Sequence, residues 1–287
     1  MSLLSANQLH YVYSEKTPFR KHAVSGIDFS LEKGEIIGII GHTGSGKSTL
    51  VQMLNGLLTP SSGEVLFDGD DINSDKKTLH ATRFKVGLVF QYPEYQLFDE
   101  TVFRDISFGP KNMGLGEDEV KRRVYESAKA VGLDENLLEK SPFDLSGGQK
   151  RRAAIAGVIA MEPEVLILDE PTAGLDPSGR QLILDMIKKL NREYGMSVVL
   201  VSHNMEDIAQ LSDKILVLSG GKSVAFDTPQ NIFSDGEKIA EMGLELPVVT
   251  KMLLSLRKKG LPVNCGLFTP EDFAKEILRL KREGVTL

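Results

Sequence analysis

The segment Gly41-His-Thr-Gly-Ser-Gly-Lys-Ser48 constrains the fold of this chain more than any other part of the sequence. It fits the pattern G-x-x-x-x-G-K-[ST], follows the apolar run Ile36–Ile40 and precedes a helical stretch, Ser48–Leu57. Its glycines let the backbone curl so that N–H groups point at phosphate oxygens, and the helix adds its positive N-terminal end. A phosphate-binding loop is therefore predicted rather than a chance glycine-rich turn. The residues predicted to hold a nucleotide here are Gly41, His42, Thr43, Gly44, Ser45, Gly46, Lys47, Ser48 and Thr49.

Two carboxylates at the end of another apolar run are the residue types that hydrolysis of a bound phosphate group needs. Asp169 and Glu170 directly follow Val165–Leu168. Lys47 is predicted to reach the β- and γ-phosphates, while the Ser48 hydroxyl and Asp169 are predicted to hold Mg²⁺. Glu170 is predicted to polarise an attacking water. Solvated acids at a strand end are the alternative for either residue alone, and the phosphate loop weighs against it.

The apolar runs indicate an α/β fold with a mostly parallel central sheet. Unalternating runs are typical of strands covered on both faces; they are Ile36–Ile40, Val86–Phe90, Val165–Leu168 and Val198–Val201. Helical patterns lie between them, at Glu117–Gly132 and Ser178–Tyr194. The second is predicted to bury Leu182, Ile183, Met186, Ile187 and Leu190. Polar residues follow each strand, and ligands bind beyond the carboxyl ends of such strands, so one shared site is expected.

Two further regions complete the predicted architecture. Short alternating pieces near the N-terminus, such as Gly63–Phe67, predict an antiparallel β subdomain. Past Thr228 the sequence changes to short helices, the last with Thr269 as N-cap and Pro270 in its first turn. We therefore predict a nucleotide-binding domain over residues 1–228 and a small helical appendage over residues 229–287.

Composition excludes several function classes. The 34 basic and 40 acidic residues leave a net charge of −6, which argues against a nucleic-acid partner because such proteins usually present a basic face. The longest apolar runs, such as Ala153–Met161, are far shorter than the about 20 residues of a membrane-spanning helix. A single cysteine, Cys265, excludes an internal disulfide, and no signal peptide is expected at the N-terminus.

The stretch Leu145-Ser-Gly-Gly-Gln149 makes the interpretation specific. Ser146 is a natural N-cap, and the two glycines let an anion approach the N–H groups of the helix that follows. From Leu3 to Asp227 the chain resembles the ATP-binding cassette (ABC) ATPases, whose signature is Leu-Ser-Gly-Gly-Gln. The resemblance implies a P-loop NTPase of ABC type in which a helical subdomain carries this signature.

The resemblance also implies roles for matching residues. Gln91 matches a glutamine that touches Mg²⁺ or the attacking water, and His203 matches a switch histidine at the γ-phosphate. Asp176, in Gly174-Leu-Asp176, matches a loop that crosses between subunits. Tyr13 is expected to stack on adenine, with Tyr11 as the rival and a core tyrosine as the alternative for both.

In this family two cassettes pair head to tail, so a partner chain, identical or paralogous, is implied. Each ATP then lies between one phosphate loop and the other chain's signature. The signature residues predicted to bind it are Ser146, Gly147, Gly148 and Gln149. ATP binding would close the pair, and product release would open it.

Finer similarity is to the ATPases of energy-coupling factor (ECF-type) importers, most of all to the second of their two paralogous ATPases. It is carried by Phe90–Phe98, Phe108–Asn112, Ser141–Gln149 and Ala156–Pro163. The resemblance implies a peripheral motor subunit on the cytoplasmic face of the cell membrane. It would drive a membrane coupling subunit and, indirectly, a membrane subunit that binds a vitamin or similar micronutrient. The alternatives are a cobalt or nickel importer ATPase and a soluble ABC ATPase acting as an assembly or regulatory factor.

Charged clusters outside the motifs receive simpler interpretations. At least one of the acids near Gln91 is expected to contact arginines of the coupling subunit, the alternative being an ordinary solvated surface; the candidates are Glu94, Asp99, Glu100 or Asp105. Lys150-Arg-Arg152, like Lys121-Arg-Arg123, is predicted to be a solvated helix face. The acids from Asp68 to Asp75 are predicted to lie in a solvated hairpin turn, and the C-terminal appendage is expected to strengthen pairing of the ATPases.

Overall fold

The computed structural model describes residues 2–283 and 285, so the outermost residues of both predicted domains, 1, 284, 286 and 287, lie outside it. In the described residues ten strands form two sheets. The strands are β1 (Leu4–Tyr13), β2 (Lys21–Leu31), β3 (Ile36–Gly41), β4 (Ser62–Phe67), β5 (Asp70–Asp71), β6 (Val86–Val89), β7 (Val165–Asp169), β8 (Ser197–Val201), β9 (Lys214–Ser219) and β10 (Lys222–Asp227).

The central sheet has the order β10-β9-β3-β8-β7-β6. Its five strands from β9 to β6 pair in parallel, and β10 is an antiparallel edge strand. The parallel sheet predicted from the four apolar runs is therefore confirmed, and β9 and β10 are additions. Because parallel strands end at one edge, the segments after β3, β6, β7 and β8 converge there.

A second, antiparallel sheet with the order β2-β1-β4-β5 confirms the predicted β subdomain. Within it Leu4 pairs with Leu31 and Tyr13 pairs with Lys21 at the far end of the ribbon. The hairpin acids are divided between this sheet and the next helix, because Asp70 and Asp71 form β5 while Asp75 caps a helix.

Eleven α-helices lie in the described residues. They are α1 (Lys47–Leu54), α2 (Lys76–Lys85), α3 (Val102–Asn112), α4 (Glu117–Ala130), α5 (Gly147–Ile159), α6 (Pro177–Tyr194), α7 (Met205–Leu211), α8 (Pro229–Ser234), α9 (Gly236–Glu241), α10 (Val248–Lys258) and α11 (Pro270–Arg282). Thr269 caps α11 and Pro270 is its first residue, as predicted. None of these helices is both long and apolar enough to cross a bilayer.

Each face of the central sheet supports one hydrophobic core, as the unalternating strands require. Along β3, Ile36 and Ile40 join the core beneath α3–α7, whereas Ile37 and Ile39 join the core shared with α1 and the antiparallel sheet. Phe233 of α8 and Leu253 of α10 also belong to the first core. The predicted appendage thus packs on the same core, and a boundary at residue 228 stays a prediction.

The buried face of α6 differs from the prediction at one position. Leu182 is 56% exposed, and Leu184 is buried together with Ile183, Met186, Ile187 and Leu190. The apolar stripe of α6 is wider than the surface that the core covers, so the sequence pattern alone does not show which edge of the stripe faces solvent.

Candidate functional site

A cavity of about 380 Å³ opens at the edge where the parallel strands end. Segments that lie far apart in the sequence meet there, including the phosphate loop and the residues that follow β6, β7 and β8. The lining residues are Tyr13, Lys21, Ala23, Thr43, Gly44, Gly46, Lys47, Ser48, Thr49, Gln91, Asp169, Glu170 and His203. The single site expected at the strand ends is therefore present in the structure.

The phosphate loop (Gly41–Ser48) is shaped by glycine and by Lys47. Gly46 has a φ of 104°, and a Cβ there would lie 2.5 Å from the Ala23 carbonyl oxygen, so a side chain would clash with β2. The Lys47 ammonium donates hydrogen bonds to the carbonyl oxygens of Gly41, at 2.6 Å, and His42, at 3.2 Å. Burial lowers the pKa of Lys47, although Glu170 and Asp169 act to raise it. The charge is thus held under the loop where phosphate oxygens would lie.

Ser48 and Asp169 form an oxygen pair suited to a hard cation. The Ser48 hydroxyl donates to Asp169 Oδ2 at 3.0 Å, which joins the start of α1 to the end of β7. Asp169 is 9% exposed, and this burial raises the pKa of its carboxyl group. The described residues hold no cluster of three or more His, Cys, Asp or Glu side chains that could bind a metal. Two protein oxygens fit Mg²⁺, which usually takes its remaining ligands from water and phosphate.

Glu170 occupies an unusual position for a carboxylate. Its backbone is left-handed, with φ of 52°, and only 8% of the residue is exposed. Its Oε2 accepts the His203 backbone N–H at 3.3 Å, while Oε1 is buried, makes no hydrogen bond and lies 3.2 Å from His203 Nε2. Burial raises the pKa of Glu170 to about 7, and burial together with Lys47 lowers the pKa of His203. A carboxylate with this pKa can take up a proton near neutral pH.

Activity should therefore fall on the acid side of neutrality. Because the pKa of Glu170 is about 7 in the free chain, the ionised base is lost as the pH falls through that value. We expect kcat/KM for ATP to drop about tenfold between pH 8 and pH 6, since kcat/KM reports ionisations of the free enzyme. Steady-state kinetics across this range, with ATP affinity measured at each pH as the control, test this. A flat profile would contradict the assignment of Glu170 as the base.

The structure separates the two tyrosines considered for adenine. Tyr13 lines the cavity, is 40% exposed, and its hydroxyl lies 3.2 Å from Thr49 Oγ1. Tyr11 packs edge-on against Tyr13, with ring centroids 4.8 Å apart, and against the core shared by α1 and the antiparallel sheet. Tyr13 thus has the position that a base-stacking residue needs. Lys21, which the sequence analysis did not single out, reaches the cavity because it pairs with Tyr13 across β1 and β2.

The signature residues lie elsewhere on the surface. Ser146 caps α5 in a capping box with Gln149, and a Cβ at Gly147 or Gly148 would have no atom within 4 Å. Asp176 is exposed and caps α6. None of these residues lines the cavity, so the structure does not bring them together with the phosphate loop of their own chain.

Each of the two predicted solvated faces contains one arginine that is not solvated: the side chain of Arg123 is only 12% exposed, and Arg151 is more deeply buried. Arg151 is 2% exposed and pairs with Glu94, with 2.6 Å between Nη2 and Oε1. Its neighbours Lys150 and Arg152 are partly buried. A run of three cations gives no sign that one of them points inward, because its acidic partner lies 57 residues away in the sequence.

The four acids near Gln91 have different surroundings. Both oxygens of Glu94 bind Arg151, whereas Asp99 and the exposed Glu100 lie next to Arg104 on the surface. Asp105 is 9% exposed; its Oδ1 accepts the N–H groups of Phe98 and Asp99, and its buried Oδ2 has no partner.

Burial raises the pKa of the Asp105 carboxyl group, which faces a groove of about 270 Å³ between α3 and α5. We call this cavity the α3–α5 groove. Its other lining residues are Phe84, Gln96, Leu97, Phe98, Phe108, Gly109, Asn112, Ala153, Ala154, Gly157, Val158 and Met161.

The chain is similar to known proteins over the segments that form this site. The ABC transporter family profile matches residues 24–173. The energy-coupling factor transporter ATP-binding protein EcfA2 of Caldanaerobacter subterraneus subsp. tengcongensis is 53% identical over 279 residues, covering 97% of this chain and 98% of the relative. The protein of the same name from Clostridium tetani is 51% identical over 287 residues, covering 100% and 99%.

Solved structures agree with this similarity. The structure of cbiO1 from Clostridium perfringens, described as part of the ABC transporter complex cbiONQ, has a TM-score of 0.74 and 41% identity. It covers 84% of this chain and 94% of that chain. A dimeric cassette, MJ0796 bound to ADP and Pi, has a TM-score of 0.70 and 29% identity, covering 78% of this chain and 98% of the other.

Proposed function

Because this chain belongs to the ABC transporter ATPases, and among them to the ATP-binding subunits of energy-coupling factor transporters, we propose that it is the ATP-driven motor of a multi-subunit importer. It binds and hydrolyses ATP. The observation that carries the proposal is the geometry of two half-sites on one chain. The phosphate loop, Asp169, Glu170 and His203 share a cavity, whereas the signature residues lie outside it.

The separation of these half-sites supports a head-to-tail pair. The exposed N-terminus of α5 offers free N–H groups and a positive helix end, which suit the γ-phosphate of an ATP held by another chain. The dimeric form of the MJ0796 cassette supports the same arrangement. Asp176, exposed at the start of α6, is proposed to reach across the interface. Binding of ATP would then close the pair and loss of products would open it.

Each of the cavity residues is proposed to have a separate role in binding or hydrolysing ATP. Lys47 neutralises charge on the β- and γ-phosphates, and Tyr13 stacks on the base. Ser48, Asp169 and Gln91 would hold Mg²⁺, which would offset charge that develops on the phosphates. Glu170 accepts a proton from the attacking water, and the imidazole of His203 lies beside it to contact the γ-phosphate.

Docking of a membrane coupling subunit is proposed at the α3–α5 groove. The groove is largely apolar, and Phe98 and Phe108 at its rim are exposed. Asp105 lines the groove, and its Oδ2 is buried without a hydrogen-bond partner; an arginine of the coupling subunit is proposed to satisfy this oxygen after a shift of the atoms that cover it. Of the four acids only Asp105 lines the groove, and Glu94 is already paired with Arg151, so Asp105 is the proposed contact.

Affinity capture of the tagged chain from detergent-solubilised native membranes tests this function. We expect a polytopic coupling protein and a second cassette ATPase to be recovered. Asp105→Asn should reduce recovery of the coupling protein by at least about tenfold, because it removes the charge but keeps the oxygen that binds Phe98 and Asp99. Asp118→Asn, an exposed change on α4, is the control.

The results of this capture experiment distinguish a failure of the importer function from a failure of the docking site. Recovery of soluble partners only would contradict the importer function. Undiminished assembly of the Asp105→Asn variant would contradict the docking site alone.

The remaining parts of the proposal concern location, cargo and pairing. A peripheral position on the cytoplasmic face of the membrane and uptake of a vitamin or similar micronutrient are proposed from the resemblance to energy-coupling factor importers, and the names of the relatives support a transporter. Val248 and Met252 on α10 and Leu278 on α11 are exposed, which supports a role of the C-terminal helices in pairing.

A further inference from the structure

Arg151 joins three segments that surround the reaction site. Its guanidinium binds both carboxylate oxygens of Glu94, with Nη2–Oε1 and Nε–Oε2 distances of 2.6 and 3.0 Å. Its Nη1 donates to the carbonyl oxygens of Pro171, at 3.1 Å, and Ala173, at 2.7 Å. The guanidinium also lies 5.9 Å from the centre of the Tyr92 ring. One buried side chain on the signature helix α5 therefore holds the segment after Gln91 and the segment after Glu170.

Both of these segments contain strained backbone next to a site residue. Tyr92, which follows Gln91, has a φ of 56°, and Glu170 has a φ of 52°. Left-handed backbone in a residue other than glycine persists where the surroundings hold it. Arg151 contacts the ring of Tyr92, which is one of the strained residues, and the carbonyl of Pro171, which follows the other. The same side chain is thus placed to keep both strained residues in position.

The Arg151–Glu94 pair is ionic despite its burial. Burial acts to raise the pKa of Glu94, but hydrogen bonds and the charge of Arg151 lower it below its usual value. Buried ion pairs add little stability compared with apolar side chains of similar volume. What this pair provides instead is a planar five-donor group that meets a carboxylate and two carbonyls at once, which no apolar side chain can do.

We propose that Arg151 is a positioning residue for ATP hydrolysis, fastening the Gln91 segment and the Glu170 segment to the signature helix so that the water-binding groups stay aligned. The proposal rests on the roles proposed above for Gln91 and Glu170. It extends them, because Glu94 lies in the same segment as the rim of the α3–α5 groove. A partner seated in that groove would contact a segment that Arg151 ties to the catalytic carboxylate.

Arg151→Lys tests the proposal in the captured full-length complex supplied with ATP and Mg²⁺. Lysine keeps the charge but cannot bind Glu94 and the two carbonyls together. We expect kcat to fall by about 10- to 100-fold, with KM for ATP changing less than about twofold, because misplacement on the ångström scale affects the chemical step. In a pair of cassettes the second ATP site can also hydrolyse ATP. The complex that contains Glu170→Gln measures this remaining hydrolysis, which is subtracted from the rate of each variant.

Arg123→Lys is the matched control. Arg123 is also largely buried, at 12% exposure, and binds Glu119, Glu162 and the carbonyl of Met161, but it does not line the cavity. We expect a similar loss of thermal stability and an unchanged kcat. Equal loss of kcat in the two lysine variants, or parental kcat in Arg151→Lys, would overturn the proposal.

Hydrogen exchange gives a second readout that does not depend on turnover. Peptides covering residues 91–98 and 171–176 should both exchange faster in Arg151→Lys, and also in Glu94→Gln, whereas α4 should be unaffected. Faster exchange throughout the chain would mean that Arg151 only supports the fold, and would count against positioning. If Glu170→Gln hydrolysed ATP normally, the proposed site itself would be wrong, whatever Arg151→Lys does.

Discussion

Replacing Glu170 with glutamine is expected to lower kcat for ATP hydrolysis by about 10²- to 10⁴-fold, the usual contribution of a positioned general base. The amide keeps the shape of the side chain and can still accept the His203 backbone N–H. It cannot take a proton from water. Because Lys47 and the phosphate loop are untouched, ATP should bind with nearly parental affinity and the paired state should accumulate. Single-turnover phosphate release, ATP affinity and sedimentation velocity measure these three quantities.

Glu35→Gln is the matched control for this variant. Glu35 has a largely buried side chain, 10% exposed, and binds Lys214 at 2.8 Å, but it precedes β3 at the opposite end of the sheet from the cavity. Its kcat should be unchanged. Above pH 7 the Tm of Glu170→Gln should be no lower than that of the parent. The raised pKa of Glu170 means that its ionised form, which is the form present there, destabilises the fold, and glutamine carries no charge. Parental hydrolysis by Glu170→Gln would show that Glu170 is not the base.

The second large effect is expected from Lys47→Met, which should weaken ATP binding by about 30- to 150-fold. The estimate takes about 2–3 kcal/mol for hydrogen bonds from a charged donor, with each 1.4 kcal/mol giving a factor of ten. Methionine keeps the aliphatic stem, so the change isolates the ammonium that now binds the carbonyls of Gly41 and His42. Equilibrium titration with ATP gives the affinity directly.

Lys85→Met is the control for loss of a lysine charge. Lys85 ends α2 on the surface, with its side chain 53% exposed, and it does not line the cavity. Its ATP affinity should match that of the parent. If Lys47→Met bound ATP as tightly as the parent, the loop would have to hold phosphate by its backbone alone.

Several parts of the site could be predicted because their signals are local. The phosphate loop, Asp169-Glu170 and His203 each follow a short apolar strand, and parallel strands bring such ends to one edge. Ser146 was predicted as an N-cap from its neighbours in the sequence and is one. In each case the residues that decide the outcome lie within a few positions of one another.

Other features required contacts between distant segments. Arg151 was predicted to be solvated and is buried, because Glu94 lies 57 positions away and meets it only after α5 packs beside the Gln91 segment. Lys21 reaches the cavity through its cross-strand pairing with Tyr13. Leu182 belongs to the apolar stripe of α6 and is predicted to be buried. It is exposed because the core covers only part of that stripe.

Periodicity and motif spacing, which are properties of neighbouring residues, predict the fold class, the phosphate loop and the strand-end acids, and the resemblance to the ABC ATPases adds His203. Contacts made only in the folded chain show which of the acids near Gln91 are already paired and that Asp105 keeps a buried oxygen without a hydrogen bond. These contacts also place the signature outside the cavity of its own chain, as the resemblance to paired cassettes implies. The physical reason is that burial and ion pairing depend on which surfaces meet, and surfaces meet only when the chain has folded.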